Sequence, residues 1–148
     1  LVGYPIESSK VPTRLKSLAT HELADLLLTR VETMDAARVD APKADSQAIR
    51  VSLDHIHRLD LRAMVSRLQS PCLMVHGQND PAVELPHDDN LFDMSEQIHQ
   101  IVFDQSGHFP MLDDDNKFNR LLKDFLSLSS GESPRDLQLK EEWKRRVR

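Results

Sequence analysis

An aspartate and a histidine follow two similar segments of this sequence. Asp80 ends the stretch "VHGQND" after the apolar run "CLMV" at 72–75, and His108 lies in "DQSGHFP" after "QIVF" at 100–103. Short apolar runs of this kind are typical of strands buried in a parallel sheet. A histidine acts as a base when a carboxylate holds one ring nitrogen and stabilises the imidazolium that forms. The two residues are therefore candidates for an acid–base pair.

The expected positions of these two residues permit a contact between them, although the periodicity alone does not prove it. The carboxyl ends of neighbouring parallel strands lie about 5 Å apart at the edge where open α/β sheets place functional groups. Simpler interpretations stay open, with His108 bonded to backbone in a loop and Asp80 serving as a turn residue before Pro81. If the alignment of the strands is shifted, Asn79 or Glu84 takes the place of Asp80, although Asn79 carries no charge.

Helical patterns surround these runs, and the segment "LVGY" at 1–4 reads as the end of a further strand, stopped by Pro5. Apolar residues recur at helical spacing between the strands, with acidic or hydroxyl side chains at the points where helices begin. The sequence predicts one helix from Ser17 to about Ala37 and another over roughly 90–97. Further helices are predicted to begin at caps near Asp45 or Ser46, at Asp60 and at Ser133. The helix after the second strand is predicted to have Asp113 to Asp115 at its N-terminal end.

The alternation of strand and helix predicts a parallel α/β sheet with right-handed crossovers. Two and a half strands are few for a parallel sheet, which is normally covered on both faces and has several strands. The sequence also opens with "LVGYP" and without a methionine. We therefore expect a part of a larger sheet, whose open edge could pair with another copy of the chain.

At these residues the chain resembles the C-terminal part of the α/β-hydrolase fold family. In that family one strand ends in G-x-x-D, here Gly77 to Asp80, and the next ends in G-H, here Gly107-His108. The resemblance implies that Asp80 is the acid and His108 the base of a catalytic triad. Phe109, Met111 and His76 would then be candidates for the substrate pocket.

The same resemblance implies a division of the chain. It is close over 59–127, looser over 1–58, and absent from the tail. Residues 1–4 would end a core strand, 5–58 would form a helical cap or lid, 59–130 would form the C-terminal part of the core, and 131–148 would form a charged helical tail.

The family's nucleophile, on a G-x-S-x-G turn, has no counterpart in these 148 residues. The four glycines are Gly3, Gly77, Gly107 and Gly131, and none is paired around a Ser, Cys or Asp at that spacing. We expect the complete enzyme to hydrolyse an ester, amide or related bond of a small molecule, with a Ser, Cys or Asp nucleophile outside this chain. The alternative is a non-catalytic binding or assembly module derived from the same fold.

Composition argues against several other functions. The formal charge of −5 gives no basic surplus for nucleic acid, and the longest apolar runs are too short to cross a membrane. A single cysteine, Cys72, rules out an internal disulfide and fits a reducing, cytoplasmic setting.

We expect no metal and no cofactor. The stretches "HIH" at 55–57 and "HDDN" at 87–90 lack a further ligand at metal-site spacing. His55 and His57 flank Ile56 on a predicted helix, so both are expected to face solvent.

Overall fold

A short parallel sheet forms the centre of the computed structural model, which describes residues 1–32, 35–86 and 95–137. Strand β1, Cys72–Gly77, pairs in parallel with strand β2, Ile98–Phe103, so that Cys72 lies opposite Ile98 and Gly77 opposite Phe103. Both predicted strands are confirmed, and each extends two residues beyond its apolar run. Ile98 and His99 at the start of β2 were missed because the polar His99 interrupts the apolar pattern.

The N-terminal residues lie along the other side of β1. Val2 forms a parallel bridge with Val75. The Gly3 amide donates to the Val75 carbonyl at 2.9 Å, and the Val75 amide donates to the Leu1 carbonyl at 2.8 Å. Residues 1–4, predicted to end a strand, thus bond to the free side of β1 through an isolated bridge, while the sheet of the described residues has two strands. The spatial order is N-terminal segment, β1, β2.

Both faces of the sheet are covered by helices. On one face Met74 and Cys72 pack with Ile6 and with Val65 of helix α4, Leu61–Ser66. The alternate residues of β1 point to the other face, where Leu73 and Val75 pack with Leu121. Leu121 belongs to the amphipathic helix Asp115–Leu126. The burial of every residue of β1 follows from this two-sided cover and explains its unbroken apolar run.

Acidic caps begin three helices where the sequence predicted them. The Asp45 carboxylate accepts from the amides of Gln47 and Ala48 at the start of helix α3, Ser46–Ile56. Asp60 caps α4 in the same way. After β2 the chain forms helix α5, Pro110–Asp113, and then helix α6, the segment Asp115–Leu126, which is capped by Asp114. Each cap satisfies amide donors that have no partner within the helix.

The long first helix predicted over 17–37 is wrong. Residues Thr13–Ser17 form a 3₁₀ turn, helix α1 spans Thr20–Leu27, and helix α2 spans Ala36–Asp40. The Thr29 hydroxyl donates to the carbonyls of Asp25 and Leu26, so it competes with the helical bonds that would continue α1.

The remaining predicted helices lie partly outside the described residues. The helix expected at 90–97 falls mostly on 87–94, and the tail expected to be helical falls mostly on 138–148. Ser133 caps a 3₁₀ turn, Pro134–Asp136. No helix within the described ranges has the length and apolar character needed to cross a membrane.

Gly77 allows the ends of β1 and β2 to approach closely. A methyl group at Gly77 would lie 1.9 Å from the Gly107 carbonyl oxygen and 2.5 Å from that of Ser106. Both contacts are far inside van der Waals distance, so any side chain here forces the two backbones apart.

Gly77→Ala is therefore expected to lower the free energy of unfolding by about 1–3 kcal/mol or more, the range typical of overpacking. Gly107→Ala is the matched control, because a methyl group there meets its nearest atom, Asp113 Oδ2, at 3.5 Å. Chemical denaturation of the two variants measures the difference. Equal losses of stability would contradict the proposed backbone clash.

Candidate active site

The structure brings Asp80 and His108 into direct contact. His108 Nδ1 lies 2.8 Å from Asp80 Oδ2. The Asp80 side chain is 1% exposed, whereas that of His108 is 20% exposed. Because a carboxylate can only accept, Nδ1 carries the proton in this contact, and in the neutral ring Nε2 has a free lone pair. This is the arrangement in which an imidazole can take a proton from a neighbouring group.

The second oxygen of Asp80 fixes the direction of the carboxylate. Oδ1 accepts from the Ala82 amide at 2.8 Å and from the Val83 amide at 3.0 Å. The turn after β1 therefore uses one oxygen to bind its own backbone, while Oδ2 stays directed at His108. The same side chain thus stabilises the turn, as one interpretation predicted, and also contacts His108.

Backbone bonds join the two loops that carry the pair. The Gln78 amide donates to the Phe103 carbonyl and the Asn79 amide to the Ser106 carbonyl, both at 2.9 Å. On the other side the Gly107 amide donates to Asp113 Oδ2 at 2.7 Å. His108 is thus held in a loop fixed at both ends.

The alternative partners for His108 lie elsewhere. The Asn79 side chain donates to the Asp104 carbonyl at 3.2 Å. The Glu84 carboxylate is largely exposed and lies 3.9 Å from the Lys10 ammonium. Neither residue takes the place of Asp80.

An apolar cavity of about 200 Å³ adjoins His108. Its wall comes from helices α1 and α3 and from the turn after β1. The lining includes Leu23, Leu27, Ile49, Leu53, Ile56, Ala82 and Val83 together with Gly3 and His108. A ligand here would meet an almost wholly aliphatic surface with one imidazole at its edge.

The three pocket candidates from the sequence occupy other places. Phe109 contacts the His108 ring edge-on, with 4.7 Å between ring centroids, and packs against a buried cluster of Ala24, Leu28 and Val31 in and after α1. Met111 is half-buried on α5 and is not among the residues that line this cavity. His76 is fully buried on the α4 side of the sheet and is not among the residues that line this cavity.

His76 has one hydrogen bond in this buried position. Its Nε2 lies 2.9 Å from the Tyr4 carbonyl, and its Nδ1 has no partner among the described residues. Burial lowers the pKa of His76 below its ordinary value. The ring is therefore neutral at physiological pH, with the proton on Nε2.

Sequence reasoning missed two residues that contact the candidate site. Gly3 packs against the His108 ring, and Asp113 binds the Gly107 amide. Asp113 was recognised as part of a helix start but not as a support of the loop before it. A glycine next to a predicted strand end is the one signal that could have indicated Gly3.

Within the described residues no three potential ligands lie close enough to hold a metal ion. His57 does not face solvent as predicted, because its Nδ1 lies 2.7 Å from the Leu53 carbonyl and its Nε2 lies 2.9 Å from that of Val11. His55 is exposed as expected. The stretch 87–90 lies outside the described residues.

Curated relatives are similar to part of this chain. A pimeloyl-[acyl-carrier protein] methyl ester esterase from Aliivibrio fischeri is 27% identical over 97 residues, which cover 66% of this chain and 38% of the relative. The protein of the same name from Vibrio parahaemolyticus is 26% identical over 95 residues, 64% of this chain and 37% of the relative. The chain thus spans less than two fifths of the length of these relatives. No family model matches it.

Solved structures resemble the fold over most of the chain. A 2-hydroxy-6-oxo-6-phenylhexa-2,4-dienoate hydrolase from Rhodococcus aligns with a TM-score of 0.57 at 18% identity, covering 86% of this chain and 53% of that one. An N-acyl homoserine lactonase mutant in complex with N-hexanoyl homoserine lactone aligns with a TM-score of 0.56 at 19% identity, covering 82% and 51%. At these identities the likeness concerns the fold.

The buried, neutral His76 makes stability depend on pH. An unfolded histidine titrates near pH 6.5. Below that pH the unfolded chain takes up a proton that folded His76 resists, so stability falls as the pH drops from about 6.5 towards the lowered pKa, by up to about 1.4 kcal/mol per pH unit.

His76→Gln should lack this contribution, and the difference in unfolding free energy between the parent and the variant should shrink from pH 7.5 to pH 5.5. Chemical denaturation at both pH values measures it. Burial also lowers the pKa of His99, but His99 is present in both proteins and cancels. A difference that stays constant with pH would show that His76 is not a buried neutral histidine.

Proposed function

Because this chain has part of an α/β-hydrolase fold, we propose that it supplies the base and the orienting acid of a hydrolase acting on an ester or a related acyl bond. His108 would be the base and Asp80 the acid. The observation that carries the proposal is the 2.8 Å contact between them, with Asp80 fixed by two backbone amides. The names of the relatives, an esterase, a hydrolase and a lactonase, support the same reaction class.

In this proposal His108 moves one proton in each half of the reaction. Nε2 takes the proton of the nucleophile while the nucleophile bonds to the carbonyl carbon, and the same proton then passes to the leaving oxygen as its bond to the acyl group breaks. In the second half a water gives its proton to Nε2 and attacks the acyl carbon, and the proton returns to the nucleophile. Asp80 stabilises the imidazolium each time and keeps its charge.

The nucleophile would come from residues of the natural protein outside this sequence. The 148 residues contain no G-x-S-x-G. The curated relatives are more than twice as long as the matching segment, which leaves room for such a turn. The proton transfers described above fit a serine or a cysteine nucleophile, whereas an aspartate would bring no proton and would leave His108 to activate the water alone.

The cavity supports a substrate with an apolar acyl group. Its aliphatic wall offers no hydrogen-bonding side chain apart from His108 among the residues that line it. Burying a methylene group there contributes about 0.8 kcal/mol. We therefore propose a small-molecule ester whose acyl chain occupies the space between α1, α3 and the turn after β1.

A binding or assembly module is the second candidate function. An apolar groove at the open edge of the sheet is lined by Leu1, Val2, Phe118, Leu122 and Phe125. Leu1 and Leu122 are 48% and 40% exposed. Self-association through this groove, without catalysis, would follow from the exposed apolar surface.

The catalytic proposal is tested in the natural full-length protein with esters of increasing acyl length. Asp80→Asn keeps an oxygen for the Ala82 and Val83 amides but presents an amide N–H to Nδ1, which forces the proton onto Nε2. We expect kcat to fall about 10³–10⁴-fold, as for the wrong tautomer in other triads. His108→Ala should lose at least as much.

Glu84→Gln is the matched control on the same loop, because its carboxylate is exposed and does not contact His108. It should keep full activity. Unchanged turnover in His108→Ala would remove the proposed base, and loss of self-association in Leu122→Asp would then favour the assembly module.

The cavity gives a separate prediction. Leu53→Phe adds carbon atoms to its wall, so kcat/KM for long acyl chains should fall about 10-fold or more relative to acetyl esters, as expected for excluding one or two methylenes. Val51→Phe is the control, because Val51 is exposed on the same helix. The same loss in both variants would show that the acyl chain does not occupy this cavity.

A further inference from the structure

The backbone at Gly3 lies directly against the imidazole of His108. A methyl group at Gly3 would be 3.1 Å from His108 Cε1 and 3.3 Å from Nδ1 and from the His108 carbonyl oxygen. These distances are shorter than ordinary van der Waals contacts, so the His108 ring can lie at this position only because residue 3 has no side chain. Gly3 also has a φ of +56°, a conformation that other residues adopt with strain. Sterics and backbone conformation thus both favour glycine at this position.

His76 holds the residue next to Gly3. The Tyr4 carbonyl accepts from His76 Nε2 at 2.9 Å. The imidazole is completely buried, so no solvent competes for this bond. The pKa of His76, lowered by burial, keeps Nδ1 unprotonated, and the single ring proton stays on Nε2.

Strand β1 therefore supports both neighbours of His108. Gly77 and the following turn place Asp80, whose carboxylate binds Nδ1. Val75 binds the Gly3 amide through its carbonyl, and His76 binds the Tyr4 carbonyl through its ring. One strand thus fixes the acid of the pair and also the surface on which the imidazole rests.

The contact with Asp80 alone does not fix the imidazole. A histidine ring rotates about two side-chain bonds, and the second has a broad preference. A hydrogen bond to one nitrogen tolerates some of this rotation. The Phe109 ring contacts the imidazole edge-on, and Gly3 limits its movement at Nδ1 and Cε1.

We propose that His76 and Gly3 are positioning residues for His108. His76 holds the Tyr4 carbonyl and with it the Gly3 backbone, which confines the imidazole to the orientation in which Nδ1 meets Asp80 and Nε2 remains free. This inference rests on the catalytic role proposed above for His108, but its structural part can be measured without turnover.

The experiment compares four variants of the natural full-length protein. His76→Phe keeps an aromatic ring but removes the donor, whereas His76→Gln keeps a side-chain N–H for the Tyr4 carbonyl. Gly3→Ala inserts the methyl group. Leu121→Ala is the control for lost stability alone, because Leu121 is buried on the opposite face of the sheet.

Two properties of each variant are measured, the tautomer of His108 and the steady-state kinetic constants. ¹⁵N NMR of the histidine side chains reports which His108 nitrogen carries the proton, and steady-state kinetics on an ester separates kcat from KM. In His76→Phe and Gly3→Ala we expect a mixture of His108 tautomers and a kcat lowered about 10- to 100-fold, the effect of a displacement of about 1 Å, with KM changed far less. His76→Gln should restore the parent tautomer and most of kcat. Leu121→Ala should lower the melting temperature and leave the His108 signals unchanged.

Equal behaviour of His76→Phe and His76→Gln would overturn the role of the His76 donor. Parent-like His108 signals in Gly3→Ala would overturn the role of Gly3. If Gly3→Ala does not fold, the two His76 variants still decide the proposal. Activity retained in His108→Ala would refute the catalytic proposal, whereas the NMR signals would still show whether His76 and Gly3 orient the ring.

Discussion

The close approach of two backbones at Gly77 is the constraint on which the rest of the candidate site depends. Parallel pairing of β1 and β2 brings two strand ends to the same edge, about 5 Å apart. Because Gly77 has no side chain, the Ser106 and Gly107 carbonyls pass directly over it. The Gln78 amide reaches the Phe103 carbonyl at the end of β2, and the Asn79 amide reaches the Ser106 carbonyl in the loop after it. These bonds hold together the two loops that carry Asp80 and His108.

Hydrogen bonds stabilise the buried carboxylate of Asp80 in the turn after Gly77. A buried carboxylate costs free energy unless its oxygens are bonded. Asp80 meets this requirement with two backbone amides on one oxygen and the imidazole on the other. His76 meets the same requirement differently, by remaining neutral and donating its one proton to a carbonyl. Asp80 and His76 are thus buried in different ways, Asp80 with all its hydrogen bonds to protein donors and His76 as a neutral ring.

The sequence was informative where a local pattern determines structure. Unbroken apolar runs predicted β1 and most of β2, and acidic caps predicted the starts of α3, α4 and α6, because both depend on neighbouring residues. The Asp80–His108 contact was predictable from two strand ends in succession. The contact of Gly3 with His108 was not, since it joins residues about a hundred positions apart through β1. The break after α1 was missed because the leucines keep a helical spacing past Leu27, and the bonds of the Thr29 hydroxyl to backbone carbonyls leave no mark in that pattern. One hydrogen bond of His57 reaches the Val11 carbonyl, 46 residues away.

The cavity beside His108 is lined partly by the turn after β1 and partly by helices, and this difference has an evolutionary consequence. Asp80, His108 and the residues that hold them belong to β1, β2 and the turns that follow them, where Gly77 and Asp80 leave little freedom for substitution. Half of the apolar lining comes from α1 and α3, whose side chains make no hydrogen bond to Asp80 or His108. Replacements in those helices can change the size of the cavity while leaving the contact between Asp80 and His108 intact. Descendants of this sequence could therefore acquire new ligands in small steps, each one changing the helices and none requiring the strands to be rebuilt.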